Sequence, residues 1–419
     1  MPVVRALLVS GSGALLALAT PGLAPCAAAQ RPGATAAGAQ PPDPALAVPI
    51  TLDRAGITLR GTDGVTTLGL RFRVQQLAAV ASRDAEPFQV RRATLAVRRM
   101  RLRLDGVLKD PRLRVNVQLS FARGDMDQEN TGFANVLRDA YVTWQFTPRV
   151  SAAFGQAKLP GNRQRLVSSS ELQTPDRSPV NALFTADRDV GAFVAVTQPL
   201  GRGRVVWRGA ITSGEGRNPP PGDNGLAYTT RVEWLPLGAF TANGDYVEGD
   251  QAREPSLRLS LAGGLSRNDR AVRTGGQLGP PLFAPRSMTT WFVDALAKRR
   301  GMALAMEYAR RTAPDPVTRN GSAVRHVHTG EGITVQGSWL LPASSWEPQL
   351  RASWVTPAAA IRGVPGVEAV HERAVGVARY LNGHRIKTNA ELIQGRYRVL
   401  PQGARRGEWT LRFGAEVGI

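Results

Sequence analysis

The sequence predicts an all-β protein, a transmembrane antiparallel β-barrel of 16 strands, and three observations lead to this fold class. First, polar and apolar residues alternate strictly in several segments, of which residues 112–121 are an example. Second, no run of 18 or more apolar residues follows residue 29, which excludes a helical membrane protein. Third, short and long connections alternate between the segments, as periplasmic turns and outer loops do. A closed barrel satisfies its backbone hydrogen bonds in lipid with strands of modest hydrophobicity.

Sixteen segments form the predicted strands. They span residues 66–80, 96–108, 112–122, 137–146, 150–157, 190–198, 203–212, 227–235, 256–266, 290–298, 301–310, 331–341, 347–355, 372–381, 384–393 and 408–419. A soluble β-sandwich is the alternative that a single alternating segment leaves open. A chain of about 390 residues after an export signal fits one barrel of intermediate size better.

Residues 240–247 show a similar alternation and could form a further strand. Counting them would give an odd number of strands and would place the later long loops at the wrong end of the barrel. We therefore expect residues 236–255 to form an unusually long periplasmic connection.

The N-terminal residues have the form of an export signal. Residues 1–29 contain a basic residue, an apolar centre and three alanines before Gln30, which is typical of a cleaved secretory signal peptide. We expect residues 30–55 to be a flexible exported leader and residues 56–419 to be the outer-membrane barrel domain. A lipid anchor at Cys26, the single cysteine, is the alternative, although the preceding proline fits that motif poorly.

Charge is the main functional signal. The formal net charge is +20, and the basic residues are arginines apart from four lysines. Alternation directs these arginines to the barrel lumen: Arg71, Arg73, Arg99, Arg101, Arg103, Arg112, Arg114, Arg231, Arg258, Arg351, Arg385 and Arg412. Rings of arginine favour anions, because guanidinium groups stay charged and bind phosphate or carboxylate oxygens in pairs. Acidic residues on the same face leave open a largely neutral lumen: Asp105, Asp139, Glu233, Asp294, Glu307, Glu391 and Glu416.

Other combinations of residues are weaker candidates for a site. The acidic residues of segment 125–129 alternate as calcium ligands do, but Asn130 stands where the helix-loop-helix calcium motif needs glycine. His326 and His328 lack a third metal ligand nearby in sequence. A hydrolase needs a nucleophile beside a base, and all four histidines follow residue 320. We therefore expect no metal, no cofactor and no enzymatic activity.

Three segments resemble the phosphate-selective porin O and P family of Gram-negative outer membranes. They are RRMRLRLDGVL at residues 98–108, the blocks GQAKLP, SSSELQTPDRSPVNAL and DRDVG within residues 155–191, and VGVARYLNGHRIKTNAEL at residues 375–392. The resemblance implies a sixteen-stranded, usually trimeric channel whose third loop folds inward and narrows the pore. It implies the bacterial outer membrane as the location, with membrane lipid and lipopolysaccharide around the barrel.

The function expected from charge and resemblance together is a water-filled, anion-preferring channel for small anions such as phosphate. The expected constriction combines the third loop with an arginine ladder on the barrel wall: Lys158, Arg163, Arg165, Arg177 and Arg188 in the loop, and Arg99, Arg101, Arg103 and Arg114 on the wall. We expect a homotrimer without a nucleic-acid partner. A non-selective general porin and a barrel with a structural or adhesive role are the alternatives.

Overall fold

In the computed structural model of the protein, the described residues are 49–53, 56–86, 89–219, 225–400 and 403–419. The predicted signal peptide and most of the predicted leader lie outside the described residues. Within them, sixteen antiparallel strands follow one another around a barrel, and the last strand pairs with the first. No described helix is long and apolar enough to cross a membrane.

The strands are numbered in chain order, and β1 and β2 form a hairpin that precedes the barrel. Their bounds are β1 (Ile50–Asp53), β2 (Gly56–Arg60), β3 (Thr67–Arg83), β4 (Arg92–Leu108), β5 (Asp110–Ser120), β6 (Leu137–Thr147), β7 (Val150–Lys158), β8 (Arg188–Leu200), β9 (Gly203–Thr212), β10 (Ala227–Leu235), β11 (Arg258–Arg273), β12 (Pro281–Arg299), β13 (Met302–Thr312), β14 (Val317–Asn320), β15 (Ala323–His326), β16 (Gly330–Trp339), β17 (Trp346–Pro357), β18 (Glu368–Asn382), β19 (Ile386–Val399) and β20 (Arg405–Gly418). Strands β14 and β15 form a separate hairpin between β13 and β16. The barrel therefore consists of β3 to β13 and β16 to β20.

Short helices occur in the long connections. They are α1 (Arg123–Met126), α2 (Gln128–Thr131), α3 (Arg163–Leu166) and α4 (Pro179–Phe184), with 3-10 turns at Thr241–Tyr246 and Ala359–Ile361. Both α3 and α4 belong to the connection between β7 and β8.

All sixteen predicted strands are confirmed as barrel strands, and several extend further than predicted. Strands β11 and β12 continue pairing beyond Asn268, with register shifts on the way to Arg273. On β11 this outer part begins with the polar residues Arg267, Asn268, Asp269 and Arg270 in succession. Polar and apolar residues therefore do not alternate there, and the extension of the strand was not predicted.

Burial alternates along the strands as the sequence predicts. In β10 the outward side chains Tyr228, Val232 and Trp234 are exposed, whereas Arg231 and Glu233 are fully buried. An apolar outer face and a polar inner face are the arrangement expected of a barrel surrounded by lipid. Burial of the inner face means that other parts of the chain cover it.

The hairpin β1–β2 extends the barrel wall next to the C-terminal end of β20. Strand β2 pairs with the first residues of β3, next to the point where Ile419 exchanges backbone hydrogen bonds with Phe72 at 2.9 and 3.1 Å. The prediction of a flexible leader through residue 55 is therefore wrong for Ile50–Asp53, which form a strand. Four residues are too few for their alternation to be detected.

The connection between β10 and β11 contains no strand, in agreement with the prediction for residues 236–255. Ala242 and Asn243 adopt positive φ angles of 51° and 54°, which interrupt any extended conformation. The connection begins and ends at the barrel end that carries the short turns.

Candidate functional site

The third loop, residues 159–187 between β7 and β8, is bound by side chains from strands around the barrel. These side chains are Arg73 (β3), Arg101 (β4), Glu233 (β10), Ser260 (β11), Asp294 (β12), Glu307 (β13), Gln336 (β16), Arg351 (β17) and Lys387 (β19). The nine strands are distributed around most of the barrel. The loop is thus attached to the wall on several sides.

An apolar cluster fixes helix α4. Ser178 caps the helix, because its Oγ accepts a hydrogen bond from the backbone N–H of Asn181 at 3.2 Å, and a proline occupies the first turn. Val180 and Phe184 are buried, and each contributes about 1.5–3 kcal/mol by leaving water. Their cluster also contains Leu159, Ala186, Ala210, Phe292, Ala309 and Val355. Because Phe292, Ala309 and Val355 belong to the barrel wall, the helix packs against it.

Arg163, the first residue of α3, is buried among carboxylates. Its Nε lies 2.7 Å from Oδ1 of Asp294, and its Nη2 lies 2.7 Å from Oε1 of Glu233. Asp294 also pairs with Arg231 at 2.6 Å. We call Glu233, Asp294 and Glu307 the acidic wall, since they lie on β10, β12 and β13. The positive charges of Arg163 and Arg231 balance the negative charges of Glu233 and Asp294.

The residues on either side of Arg163 are fixed by the third carboxylate of the acidic wall. Oε1 of Glu307 accepts a hydrogen bond from Nδ2 of Asn162 at 2.9 Å, and Oε2 accepts from the backbone N–H of Gln164 at 2.8 Å. Three consecutive loop residues are therefore bound to the same side of the barrel.

A cavity of about 490 Å³ lies between the third loop and strands β4 to β9. Its basic lining residues are Arg101, Arg103, Arg138, Lys158, Arg165, Arg177, Arg188 and Arg208. In the described lining, Asp139 is the acidic residue, and it pairs with Arg188 at 2.8 Å. The acidic wall does not line this cavity. The charges of the barrel interior are therefore separated into a basic open part and an acidic covered part.

Carboxylates behind the lining compensate part of the positive charge. Asp125 pairs with Arg101 at 2.5 Å and with Arg138 at 3.2 Å, and Asp187 pairs with Arg165. Although burial opposes ionisation, Arg138 and Arg101 hold the pKa of Asp125 well below its usual range. Burial is likewise outweighed at Asp187, whose pKa Arg165 lowers. Both carboxylates are therefore charged at physiological pH.

Lys158 and Arg177 have no carboxylate partner in the described part of the chain. Nζ of Lys158 donates to the carbonyl oxygen of Leu166 at 2.8 Å, and Nη2 of Arg177 donates to that of Val167 at 2.8 Å. Burial and the neighbouring Arg165 lower the pKa of Arg177, as expected where cations crowd together. An arginine nevertheless remains protonated in proteins. Among the lining residues, these two cations are the least compensated.

Six of the nine predicted site residues line the cavity: Lys158, Arg165, Arg177, Arg188, Arg101 and Arg103. The other three lie elsewhere. Arg99 is buried and donates to the carbonyl oxygen of Pro175 at 2.6 Å, and Arg114 is exposed. The prediction that Arg163 forms the constriction together with the arginine ladder is wrong, because Glu233 and Asp294 of the acidic wall bind it on the opposite side of the barrel.

Sequence reasoning missed Arg138, Arg208 and Tyr246 as lining residues. Arg208 follows the alternation of β9 and could have been found from it, since its neighbour Trp207 is exposed. A register shift between Gln118 and Leu119 interrupts the pairing of β5 and β6. The alternation of inward and outward side chains therefore fails at Arg138. Tyr246 lies in an irregular connection, where no periodic signal exists.

Several solved outer-membrane proteins share the barrel fold of this chain. The outer-membrane channel DcaP of Acinetobacter baumannii superposes with a TM-score of 0.54 at 12% identity, covering 86% of this chain and 99% of that one. A loop L8 deletion mutant of OmpT of Vibrio cholerae superposes with a TM-score of 0.53 at 12% identity, covering 85% of this chain and 100% of that one. An anion-selective porin from Comamonas acidovorans superposes with a TM-score of 0.50 at 14% identity, covering 84% of this chain and 100% of that one. These likenesses confirm the fold.

No curated protein matches the sequence at a significant level. Residues 70–274, however, match the family described as phosphate-selective porin O and P. This stretch begins in β3 and ends just after β11, and it includes the third loop and every strand that lines the cavity. Through residues 70–274 the chain is therefore similar to the phosphate-selective porin O and P family, and this match together with the barrel fold supports an outer-membrane porin.

Proposed function

We propose that the protein is an anion-preferring diffusion porin whose third loop folds into the lumen and narrows the channel to the cavity along β4 to β9. The observation that carries the proposal is the position of Lys158 and Arg177 on this cavity without a carboxylate partner in the described part of the chain. The hydrogen bonds between the third loop and nine strands support its inward position.

Charge decides selectivity in such a space. Ions at the wide mouths are screened over about 8 Å at physiological salt, whereas the dielectric inside a narrow channel is lower and charges act more strongly. Guanidinium groups can bind a phosphate or carboxylate through two oxygens, and a lysine ammonium adds a point charge. The proposed solutes are therefore small anions such as phosphate.

The proposed constriction consists of the six predicted residues that line the cavity, together with Arg138 and Arg208. Arg163 and Arg99 have a different role, since both are buried and fix the third loop. Arg114 is exposed outside the lining, and we assign it no role in selectivity.

The proposal includes export and assembly. Residues 1–29 would be removed as a signal peptide, and the barrel would assemble as a homotrimer in a membrane of lipid and lipopolysaccharide. The family match supports the trimer, and exposed apolar side chains on the outer wall, such as Leu95 and Phe154, supply surface for neighbouring protomers or lipid. Cross-linking of protein extracted in mild detergent should stop at three chains. N-terminal sequencing should begin near Gln30.

The reversal potential of a single planar bilayer channel in a salt gradient tests the selectivity. The current through an anion-preferring channel reverses at a potential that has the same sign as the chloride equilibrium potential. Added phosphate should reduce the chloride current by competing for the cavity. Equal permeability of both ions would leave a general porin, and cation preference would overturn the proposal.

A further inference from the structure

The connection between β10 and β11 contributes one residue, Tyr246, to the described lining of the cavity. Its ring lies close to two guanidinium groups: the Cζ of Arg208 is 5.3 Å from the ring centroid, and that of Arg163 is 5.9 Å away. Arg208 belongs to the lining and Arg163 to the anchor of the third loop. The ring therefore stands at the border between the open and the covered part of the interior.

Buried cations fix the backbone around this ring. Nζ of Lys298 on β12 donates to the carbonyl oxygens of Gly244 and Val247 at 2.6 and 2.8 Å. Nη1 of Arg163 donates to the carbonyl oxygen of Asp245 at 2.8 Å. Three carbonyl groups within four residues are thus bound by two cations of the covered part. This arrangement holds the phenol in one position.

The carboxylate of Glu233 lies directly behind the ring. Its Oε1 accepts from Arg163 and from Ser260, both at 2.7 Å. Its Oε2 accepts from the hydroxyl of Tyr246 at 2.5 Å and from Nη1 of Arg208 at 3.3 Å. Both oxygens are occupied, and the side chain is 0% exposed. Oε2 is the oxygen directed toward the cavity, since its two partners line it.

We propose that Tyr246 is a specificity-determining residue of the channel: its phenol covers Glu233 and keeps the negative charge of this residue away from the passing anions. The inference rests on the proposed anion preference and deepens it. Without the ring, Oε2 of Glu233 would border the cavity next to Arg208 and would cancel part of the positive charge of that arginine.

A neutral donor suits this role. Burial and the adjacent carboxylate raise the pKa of Tyr246 to about 12, so the hydroxyl remains protonated over the range in which the barrel operates. A basic residue would add a charge, and an aliphatic residue would remove the shorter of the two hydrogen bonds to Oε2 of Glu233. Tyrosine covers the carboxylate, donates to it and adds no charge.

The test compares reversal potentials of full-length wild-type protein with those of Tyr246→Ala, Glu233→Gln and the double variant in planar bilayers. Tyr246→Ala should lower the anion-to-cation permeability ratio by about threefold, the size expected for one unit charge a few ångström from the ion path in water. The double variant should recover most of that loss, judged against Glu233→Gln alone. Tyr246→Phe should lie closer to wild type than to Tyr246→Ala, since the ring remains.

Phe193→Ala is the matched control for widening, because this ring also lines the cavity and packs against an apolar cluster that includes Leu159 and Ala210. It should raise conductance with a much smaller change in the permeability ratio. An unchanged ratio in Tyr246→Ala, or a loss that Glu233→Gln fails to recover, would overturn the inference. Each change in the permeability ratio is measured relative to wild type. A wild-type channel without anion preference would refute the proposed function, whereas the change caused by Tyr246→Ala would still decide the role of Tyr246. Heat-dependent migration of each variant on gels verifies that it folds.

Discussion

Nε of Arg163 lies 2.7 Å from Oδ1 of Asp294, so that an ion pair between residues far apart in sequence ties the third loop to β12. Both side chains are buried, and Asp294 shares its charge with Arg231. Breaking a buried pair leaves an uncompensated charge, which costs more than the pair contributes when intact. Arg163 is therefore an anchor whose loss affects the position of the loop more than the charge of the channel.

Replacing Arg163 by methionine should loosen the third loop. The change leaves Glu233 and Asp294 with less positive charge, and we expect a loss of about 3–5 kcal/mol in stability of the folded barrel. Single-channel recordings should show a larger and noisier conductance, and the unheated form on gels should convert at a lower temperature. Arg319→Met on the exposed hairpin β14–β15 is the control and should change neither quantity. A quiet channel of unchanged conductance in the Arg163 variant would contradict the anchoring role.

Replacing Lys158 and Arg177 together by glutamine should reduce anion preference. Each removed charge should lower the anion-to-cation permeability ratio by about twofold to fivefold, because both side chains face the cavity without carboxylate partners in the described part of the chain. The same change at Arg319 and Arg325, on the hairpin β14–β15, is the control for net charge and should have little effect at physiological salt. Equal shifts in the two double variants would mean that overall charge, and not the cavity, sets the preference.

The strands could be predicted from the sequence because their alternation repeats around the barrel. The inward direction of Arg231 and Glu233, for example, follows from parity alone. The site could be predicted only in part. Arg163 and Arg165 both lie in a four-residue helix, yet one binds the acidic wall and the other lines the cavity. A helix this short carries no periodicity, so only the carboxylates of distant strands decide which way each arginine points.

The β10–β11 connection is a second feature that could be predicted from the sequence only in part. Its length was predictable, but its contacts with the lumen were not. The position of Tyr246 depends on Lys298 and Arg163, which lie on separate elements and bind carbonyl groups of the connection. Backbone acceptors occur in every residue, so their pairing with a particular cation leaves no trace in the sequence.

Acidification should loosen the connection between β13 and β16. Burial lowers the pKa of His328 from 6.5 to about 4, with His326 and Arg311 adding to the effect. His328 therefore binds a proton less tightly when the connection is folded than when it is unfolded. The stability of the folded connection falls as pH decreases from about 6.5 toward 4. The hydrogen-exchange protection factors of residues 313–329, which correct for the slower intrinsic exchange at low pH, should fall over this range. Replacing both histidines by asparagine should abolish this fall; an equal fall in that variant would assign it to other groups.

Asp187 offers a test of whether compensated arginines can be recruited for selectivity. Its carboxylate pairs with Arg165 and lies 3.3 Å from Nη1 of Arg188, and both arginines line the cavity. Although burial opposes ionisation, these arginines hold the pKa of Asp187 well below its usual range, so the wild-type channel should keep its selectivity from neutral pH to mild acid. Asp187→Asn should free Arg165 while Asp139 still compensates Arg188, and the anion-to-cation permeability ratio should rise by about twofold to fivefold. The variant should also unfold more easily, because a carboxylate that folded-state pairing keeps ionised contributes stability at all pH values above its unfolded pKa. An unchanged ratio would mean that the guanidinium of Arg165 turns away from the ion path once its partner is gone.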